Sequence, residues 1–254
     1  MPEVLASTTS HKREALVPTL EAFARLGLLD LDLNLHHFLE KGEDPERVAR
    51  AASAAGQRVP VVSGGWCDFF HAPPRIDETF RSVDRQIEIA QRLGASTLRL
   101  FFGRLPADAW STDALATSSS NISKLADRHP DILFVFENHD GASLDPRVCR
   151  DILARVDRPT VRMNFDPINF ARAGVQLSDA SAIVEPWIGH VHLKGLQGGE
   201  FCEFGVGDVD LMPILRHLIA GGYRGRFSVE YEGPNDGTLR LYQSVMRARE
   251  LLKQ

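Results

Sequence analysis

The feature that most restricts this chain is a strand-then-helix alternation that repeats from one end to the other. Val4–Thr8 reads as a short strand, and Leu16, Leu20, Phe23 and Leu26 follow at helical spacing, ended by Gly27. Leu28–Leu35 (LLDLDLNL) is a second strand. Asp44-Pro45 then opens a helix that runs through Ala55 to Gly56, with Asp as cap and Pro in the first turn. Val59–Val62 is a third strand, and Phe80, Val83, Ile87, Ala90 and Leu93 mark the helix closed by Gly94. Thr97–Phe102, Ile132–Phe136, Thr160–Phe165, Ile188–Leu193 and Phe227–Tyr231 supply five more strands. Helical patterns over 115–128, 146–156, 178–186 and 209–220 separate them, and an amphipathic pattern from Leu239 to Leu252 ends the chain.

Eight such units in 254 residues match the size and period of an α/β chain folded as a single (β/α)8 TIM barrel. An open doubly wound sheet is the rival, but it carries a Gly-rich fingerprint after its first strand. Here that place reads STTSHKRE, without a glycine. No linker or composition break divides the chain, so residues 1–254 are read as one domain. The two longest strand-to-helix connections, Gly64–Asp77 and Gly195–Asp208, would lie over the active face as lid candidates.

A net charge of −5 supplies no basic footprint for nucleic acid or an anionic membrane surface. No apolar run approaches the roughly 20 residues of a membrane span. The opening MPEVLASTTSHKREAL lacks the basic and apolar segments of a secretory signal, so a cytoplasmic protein is expected. Cys67, Cys149 and Cys202 are odd in number and scattered, as suits reduced thiols.

In a barrel the polar residues at the C-terminal ends of the strands should form one chemically sensible set. Strand two ends with Asn34, His36 and His37, strand three with Trp66 and Asp68, and strand four with Arg104. The last four strands end alike. Apolar runs lead to Glu137 and His139, to Asp166 and Asn169, to His190, His192 and Lys194, and to Glu230 and Glu232. Three carboxylates and an imidazole converging in one mouth would repel one another unless a cation sat among them. Oxygen-rich ligands with one imidazole suit Mn²⁺, Mg²⁺, Co²⁺ or a similar ion. Taken singly, Glu137 could instead pair with a Lys or Arg, Asp166 could cap a helix, and either His190 or His192 could be an interior hydrogen-bonded residue.

At ENH (137–139), DPIN (166–169), HVHLKG (190–195), GVGDVD (205–210) and GGYRGRFSVEYEG (221–233), the chain resembles the xylose isomerase-like TIM-barrel superfamily, in particular its sugar phosphate isomerase/epimerase branch. The resemblance extends over essentially the whole chain. It implies one divalent metal ion (Mn, Mg, Co or Zn) held by Glu137, Asp166, His192 and Glu230. It also implies that Glu137 and Glu230 act as acid and base on opposite faces of the substrate. Two departures stand out: Asn169 replaces the His of the epimerases' D-x-x-H, and Leu196-Gln197-Gly198-Gly199 replaces an Arg beyond the metal His. Lys194 is the nearest cation to take over that contact. The superfamily's three-metal endonucleases need further His ligands, where this chain has Trp66-Cys67-Asp68, Phe102-Gly103-Arg104 and Asn169.

The expected function is therefore isomerisation or epimerisation of a small hydroxyketone, a sugar or polyol derivative, through a metal-stabilised enediolate. Dehydration of a cyclic polyol ketone such as an inosose or dehydroshikimate shares that step and is the alternative. A sugar-binding barrel without turnover is the third reading. Asn169, Lys194, His139, His190, Arg104 and Trp66 are the candidate substrate contacts, with Phe69 and Phe70 joining Trp66 as an apolar wall. The expected partner is a small molecule, and homo-oligomers are common in the family.

Overall fold

A computed structural model describes residues 3–234 and 237–253; Met1, Pro2 and Gln254, at the ends of the expected domain, lie outside it, as do Asn235 and Asp236. The chain order is β1 (Glu3–Ser7), α1 (Leu16–Arg25), β2 (Asp30–Asn34), α2 (His36–Leu39), α3 (Pro45–Ala54), β3 (Arg58–Ser63), α4 (Arg75–Arg92), β4 (Thr97–Phe101) and α5 (Thr112–Arg128). It continues with β5 (Leu133–Glu137), α6 (Pro146–Val156), β6 (Val161–Phe165), α7 (Pro167–Arg172), α8 (Leu177–Val184), β7 (Ile188–Leu193), β8 (Gly195–Gln197), β9 (Glu200–Cys202), α9 (Met212–Ala220), β10 (Arg226–Val229) and α10 (Gly237–Leu251). Eight parallel strands close in the order β1-β10-β7-β6-β5-β4-β3-β2. This is the expected (β/α)8 barrel.

The period-two alternation of each strand decides what faces where. Leu31, Leu33, Leu98, Leu100, Phe134, Phe136, Val191 and Leu193 turn outward into the apolar cluster shared with the helices. The alternate residues Asp32, Ser63, Arg99, Glu137, Asn164, His190, His192 and Ser228 are buried inside the barrel. Barrel interiors are usually dominated by branched apolar side chains. Here the upper interior is polar, and only an apolar sheath outside the strands leaves room for that.

Several boundaries differ from the sequence pattern. The connection after β7 is not plain loop: β8 and β9 pair antiparallel through Gly198-Gly199, whose φ values of 57° and 86° suit a tight hairpin turn. A short α7 precedes α8 because Pro167 stands at the first helical position and Asp166 caps it. α4 begins at Arg75 and is longer than its apolar stripe, while α9 begins at Met212, where Asp210 accepts the Met212 N–H. Phe69 is fully buried against Phe136, and Phe70 packs on His71, so neither joins Trp66 as a cavity wall. His37, in α2, is buried, and neither ring nitrogen has a hydrogen-bond partner among the described residues.

Candidate metal centre and its cavity

The barrel closure brings the ends of β5, β6, β7 and β10 to one place. Glu137 is the last residue of β5, Asp166 follows β6, His192 is the fifth residue of β7, and Glu230 follows β10. One donor atom from each lies within 4.8 Å of all the others, and all four side chains are buried. Donors bound to one ion at about 2.0–2.6 Å stand no more than about 4–5 Å apart, so the spacing fits a single small cation. Of the two histidines left open by the sequence, His192 is the one in this group. His190 lies below, where its Nε2 is 2.9 Å from Ser228 Oγ.

The chain holds these donors from behind. Asp166 Oδ1 accepts the N–H groups of Ile168 and Asn169 at 3.0 Å each, so Asp166 caps α7 and still turns Oδ2 to the centre. Asn138 clamps it, donating Nδ2 to the Asp166 carbonyl (2.8 Å) and accepting the Asp166 N–H (2.9 Å). Asn169 donates to Glu137 Oε1 at 3.1 Å, and Thr9 donates to Glu230 Oε1 at 2.9 Å. Arg99 Nε stands 3.1 Å from Glu137 Oε2 as an ion pair. Glu137 therefore has an arginine partner as well as a place in the four-donor group.

Lys194, just past the end of β7, is buried beside the four-donor group and is not among the residues lining the cavity above it. Its Nζ is 2.9 Å from Asp166 Oδ2, 3.3 Å from Glu230 Oε2 and 2.9 Å from Glu232 Oε2. Burial pushes this amine down, but Asp166 and then Glu230 and Glu232 overcome it and keep it charged. Burial likewise pushes Glu137 up, yet His192 and Arg99 prevail and hold it at about 2. Glu230 follows the same balance, with His192 and Lys194 drawing it well below the carboxylate range. For Asp166 burial wins over Lys194, and the carboxyl rises to about 6. His192 is pushed down by burial but raised well above its ordinary value by Glu230 and Glu137, whereas burial and then the neighbouring His192 keep His190 low and neutral.

Two observations test whether a divalent cation suits the group. His192 Nδ1 is buried without a hydrogen-bond partner among the described residues, although Glu230 Oε2, Glu137 Oε1 and Asp166 Oδ2 surround it at 3.4, 3.6 and 3.9 Å. An orphaned imidazole nitrogen ringed by carboxylate oxygens is costly unless a cation completes it. The charges agree in sign. Among the described residues the carboxylates Glu137, Asp166, Glu230 and Glu232 have Arg99 and Lys194 as their Arg and Lys partners, leaving a negative surplus that a divalent ion would offset.

Glu137 and Glu230 also line a cavity of about 800 Å³ that opens above the centre. Trp66, Phe101 and His139 form its aromatic side. Trp66 stacks on Phe101 (4.1 Å between centroids, 20° between planes), and His139 meets both edge-on. Arg104 lies 3.5 Å over the Trp66 ring, and Arg99 lies 4.1 Å over Phe101, so cations cap a two-ring stack. Arg104 thus supports the wall and is not among the residues lining the cavity. Sequence reasoning passed over Arg99, Asp32, Asn138 and Thr9. Asp32 and Arg99 were marked only by being charged inside an apolar alternation, Asn138 only by its place in ENH, and Thr9 by nothing local.

A family model described as Xylose isomerase-like TIM barrel matches residues 20–252, and the chain belongs to that family. Among solved structures it is similar to L-ribulose 3-epimerase (15% identity, 100% of this chain and 95% of that one, TM-score 0.84). It is likewise similar to the probable 3-DHS dehydratase AsbF of Bacillus anthracis, involved in petrobactin synthesis (14%, 98% and 99%, TM-score 0.80). A third likeness is to an AP endonuclease, family 2, from Brucella melitensis (17%, 95% and 97%, TM-score 0.77). At these identities the likeness is one of fold. A search of curated protein sequences finds no match to the chain.

Proposed function

We propose that this chain is a divalent-metal-dependent isomerase or epimerase of a small hydroxyketone, a sugar or polyol derivative. The observation that carries the reading is the division of labour within the four-donor group. Glu137 and Glu230 both line the cavity, from strands separated by β6 and β7, while Asp166 and His192 stand behind them. In this reading Glu137, Asp166, His192 and Glu230 hold one ion, whose Lewis acidity makes the hydrogens beside a carbonyl acidic.

Of two carboxyl groups facing one substrate from different sides, one in its ionised form can take the proton from its face while the other, once protonated, delivers a proton at the opposite face. Both are drawn toward the ionised form, Glu137 by His192 and Arg99 and Glu230 by His192 and Lys194, so either can act as base. The partner then delivers a proton that it has taken from solvent, and the roles exchange in the reverse direction. Return to the same carbon epimerises, and return to the neighbouring carbon isomerises. Asn169 and Thr9 fix the carboxylates' orientation through Glu137 Oε1 and Glu230 Oε1.

A second reading, dehydration of a cyclic polyol ketone, rests on His139. It lines the same cavity beside Trp66 and Phe101, and it can donate a proton to a departing hydroxyl. The net charge of −5 argues against nucleic acid as substrate. Among the described residues no helix is long and apolar enough to cross a membrane.

The test joins elemental analysis of the purified protein to the Glu230→Gln variant. The proposal expects Mn, Co, Mg or Zn at one ion per chain, lost or much weakened in the variant. Ketoses and inososes are then incubated in deuterated buffer. Deuterium at the carbon beside the carbonyl, with no loss of water, marks epimerisation or isomerisation, and an unsaturated product marks dehydration. A protein that takes up no metal under any loading condition would sink both readings.

A further inference from the structure

The negative surplus at the floor of the cavity is one that a divalent ion would offset, but the wall above it carries the opposite sign. Lys12, Arg81 and Arg85 line the same cavity as Glu137 and Glu230. All three are exposed, and none forms an ion pair among the described residues. Asp84 of the same helix as Arg81 and Arg85 pairs with Arg128 and His129, and Glu232 pairs with Lys194, while Asp77, Glu78 and Glu88 of that helix do not line the cavity. Glu40 is the one carboxylate lining the cavity outside the floor set, among the described residues. The wall is left with a surplus of positive charge facing inward, in a concave space that concentrates its field.

The fold opens a window for this wall. In a barrel the helices ordinarily lie outside the strands and do not see the site. Here β3 runs into Gly64-Gly65, and a Cβ at Gly64 would collide with Gln86 Oε1 and lie 2.8 Å from the Arg99 carbonyl oxygen. Without side chains at the strand's end, the α4 face formed by Arg81, Ser82, Arg85 and Gln86 lines the cavity directly. Gln86 locks the arrangement by accepting the Gly65 N–H at 2.9 Å. Arg81 and Arg85 are four residues apart, so they share one helical face and can converge on one group. The cavity, about 800 Å³, stands in the upper part of the roughly 300–1,000 Å³ range of small-molecule sites. It therefore extends well beyond the carbons that Glu137 and Glu230 can reach.

We propose that Lys12, Arg81 and Arg85 form an anion subsite, and that the substrate is a hydroxyketone carrying a phosphate ester or a carboxylate remote from its reacting carbons. The substrate class rests on the function proposed above; the subsite itself does not. Guanidinium groups suit either oxyanion, because their paired N–H donors match two oxygens at once. A phosphate dianion matches the surplus better than a carboxylate does.

The test is calorimetric titration of the metal-loaded protein and of the Arg81→Gln/Arg85→Gln variant. The probes are ribulose, ribulose 5-phosphate, 5-ketogluconate, and the ketone-free anions glycerol 3-phosphate and glycerate. The expected result is that the anionic probes bind roughly tenfold or more tightly than ribulose, on the scale of charge-assisted contacts, and lose that margin in the variant. Ribulose binding stays unchanged. Phosphate probes outranking carboxylates identify a phosphate ester, and the reverse order identifies a carboxylate. Equal binding of neutral and anionic probes, or a preference that survives in the variant, overturns the subsite. If no ketone exchanges deuterium while glycerol 3-phosphate binding still depends on Arg81 and Arg85, the functional reading falls and the subsite stands.

Discussion

The floor and the wall of one cavity follow opposite rules. At the floor the charged side chains touch opposite charges, and all of them but the half-buried Glu232 are buried: Arg99 meets Glu137, and Lys194 meets Asp166, Glu230 and Glu232. On the α4 wall Arg81 and Arg85 are exposed and form no ion pair among the described residues. A buried charge left unpaired costs several kcal/mol, so the floor had to be built as a closed set with room for one ion. An exposed cation costs almost nothing to leave open. In the proposed reading the floor serves chemistry and the wall recognition, and the two sit on different elements, strand ends and a helix, that meet at Gly64-Gly65.

The sharpest way to break this contrast is to remove a floor charge. Lys194→Met leaves Asp166, Glu230 and Glu232 facing one another without their shared cation. In metal-free protein the expected loss is about 3–5 kcal/mol of unfolding free energy, as for other broken buried pairs. Saturating Mn²⁺ should return part of it, because the ion then offsets the same carboxylates. Urea denaturation with and without Mn²⁺ reads both effects. A loss below about 1 kcal/mol, the worth of an exposed pair, would place Lys194 outside the balanced set.

Arg99 tests the join between floor and aromatic wall. It reaches Glu137 Oε2, donates to the Gly64 carbonyl at 3.1 Å, and lies over Phe101. Arg99→Met keeps the length and loses all three contacts. Partners that orient a metal-binding carboxylate are typically worth roughly 10–100-fold in metal affinity. Competition with a metal indicator should show a Mn²⁺ affinity weaker by that factor, with the fold intact by circular dichroism. Unchanged affinity would mean that Glu137 is positioned by Asn169 alone.

The barrel was readable because its period is carried by every element, and because helices and strands impose different spacings on apolar residues. The four donors were readable because each closes an apolar run, which is where a barrel exposes its strand ends. Arg99 was half readable. In TLRLFF the alternation puts Thr97, Arg99 and Phe101 on one face, but nothing local says that this face turns inward or that Phe101 pairs in register with Glu137. The same holds for Asp32 in LDLDLNL. The hairpin of β8 and β9 announced itself in Gln197-Gly198-Gly199-Glu200, yet strands of three residues fall below what periodicity can detect. Lys12, Arg81 and Arg85 were not readable at all. Helix spacing assigns Arg81 and Arg85 to a solvent face, and only the missing side chains at Gly64 and Gly65 turn that face toward the site.

His37 extends the comparison to a buried ring with no opposite charge in the floor set. His192 has three carboxylates and is raised; His37 is buried and lowered from 6.5 to about 4, by burial first and then by Lys41. Between those two values the unfolded chain binds a proton that the folded one refuses. Stability from this group is therefore complete above about 6.5 and declines as pH falls toward 4. One such proton changes unfolding free energy by at most about 1.4 kcal/mol per pH unit. His37→Leu removes the titrating group and keeps an apolar side chain in its buried place. Urea denaturation of both proteins at pH 7, 6 and 5 should show the variant gaining on the parent at each step down. A gap that stays constant from pH 7 to 5 would mean that the ring accepts its proton inside the fold, and that burial alone does not set the contrast with His192.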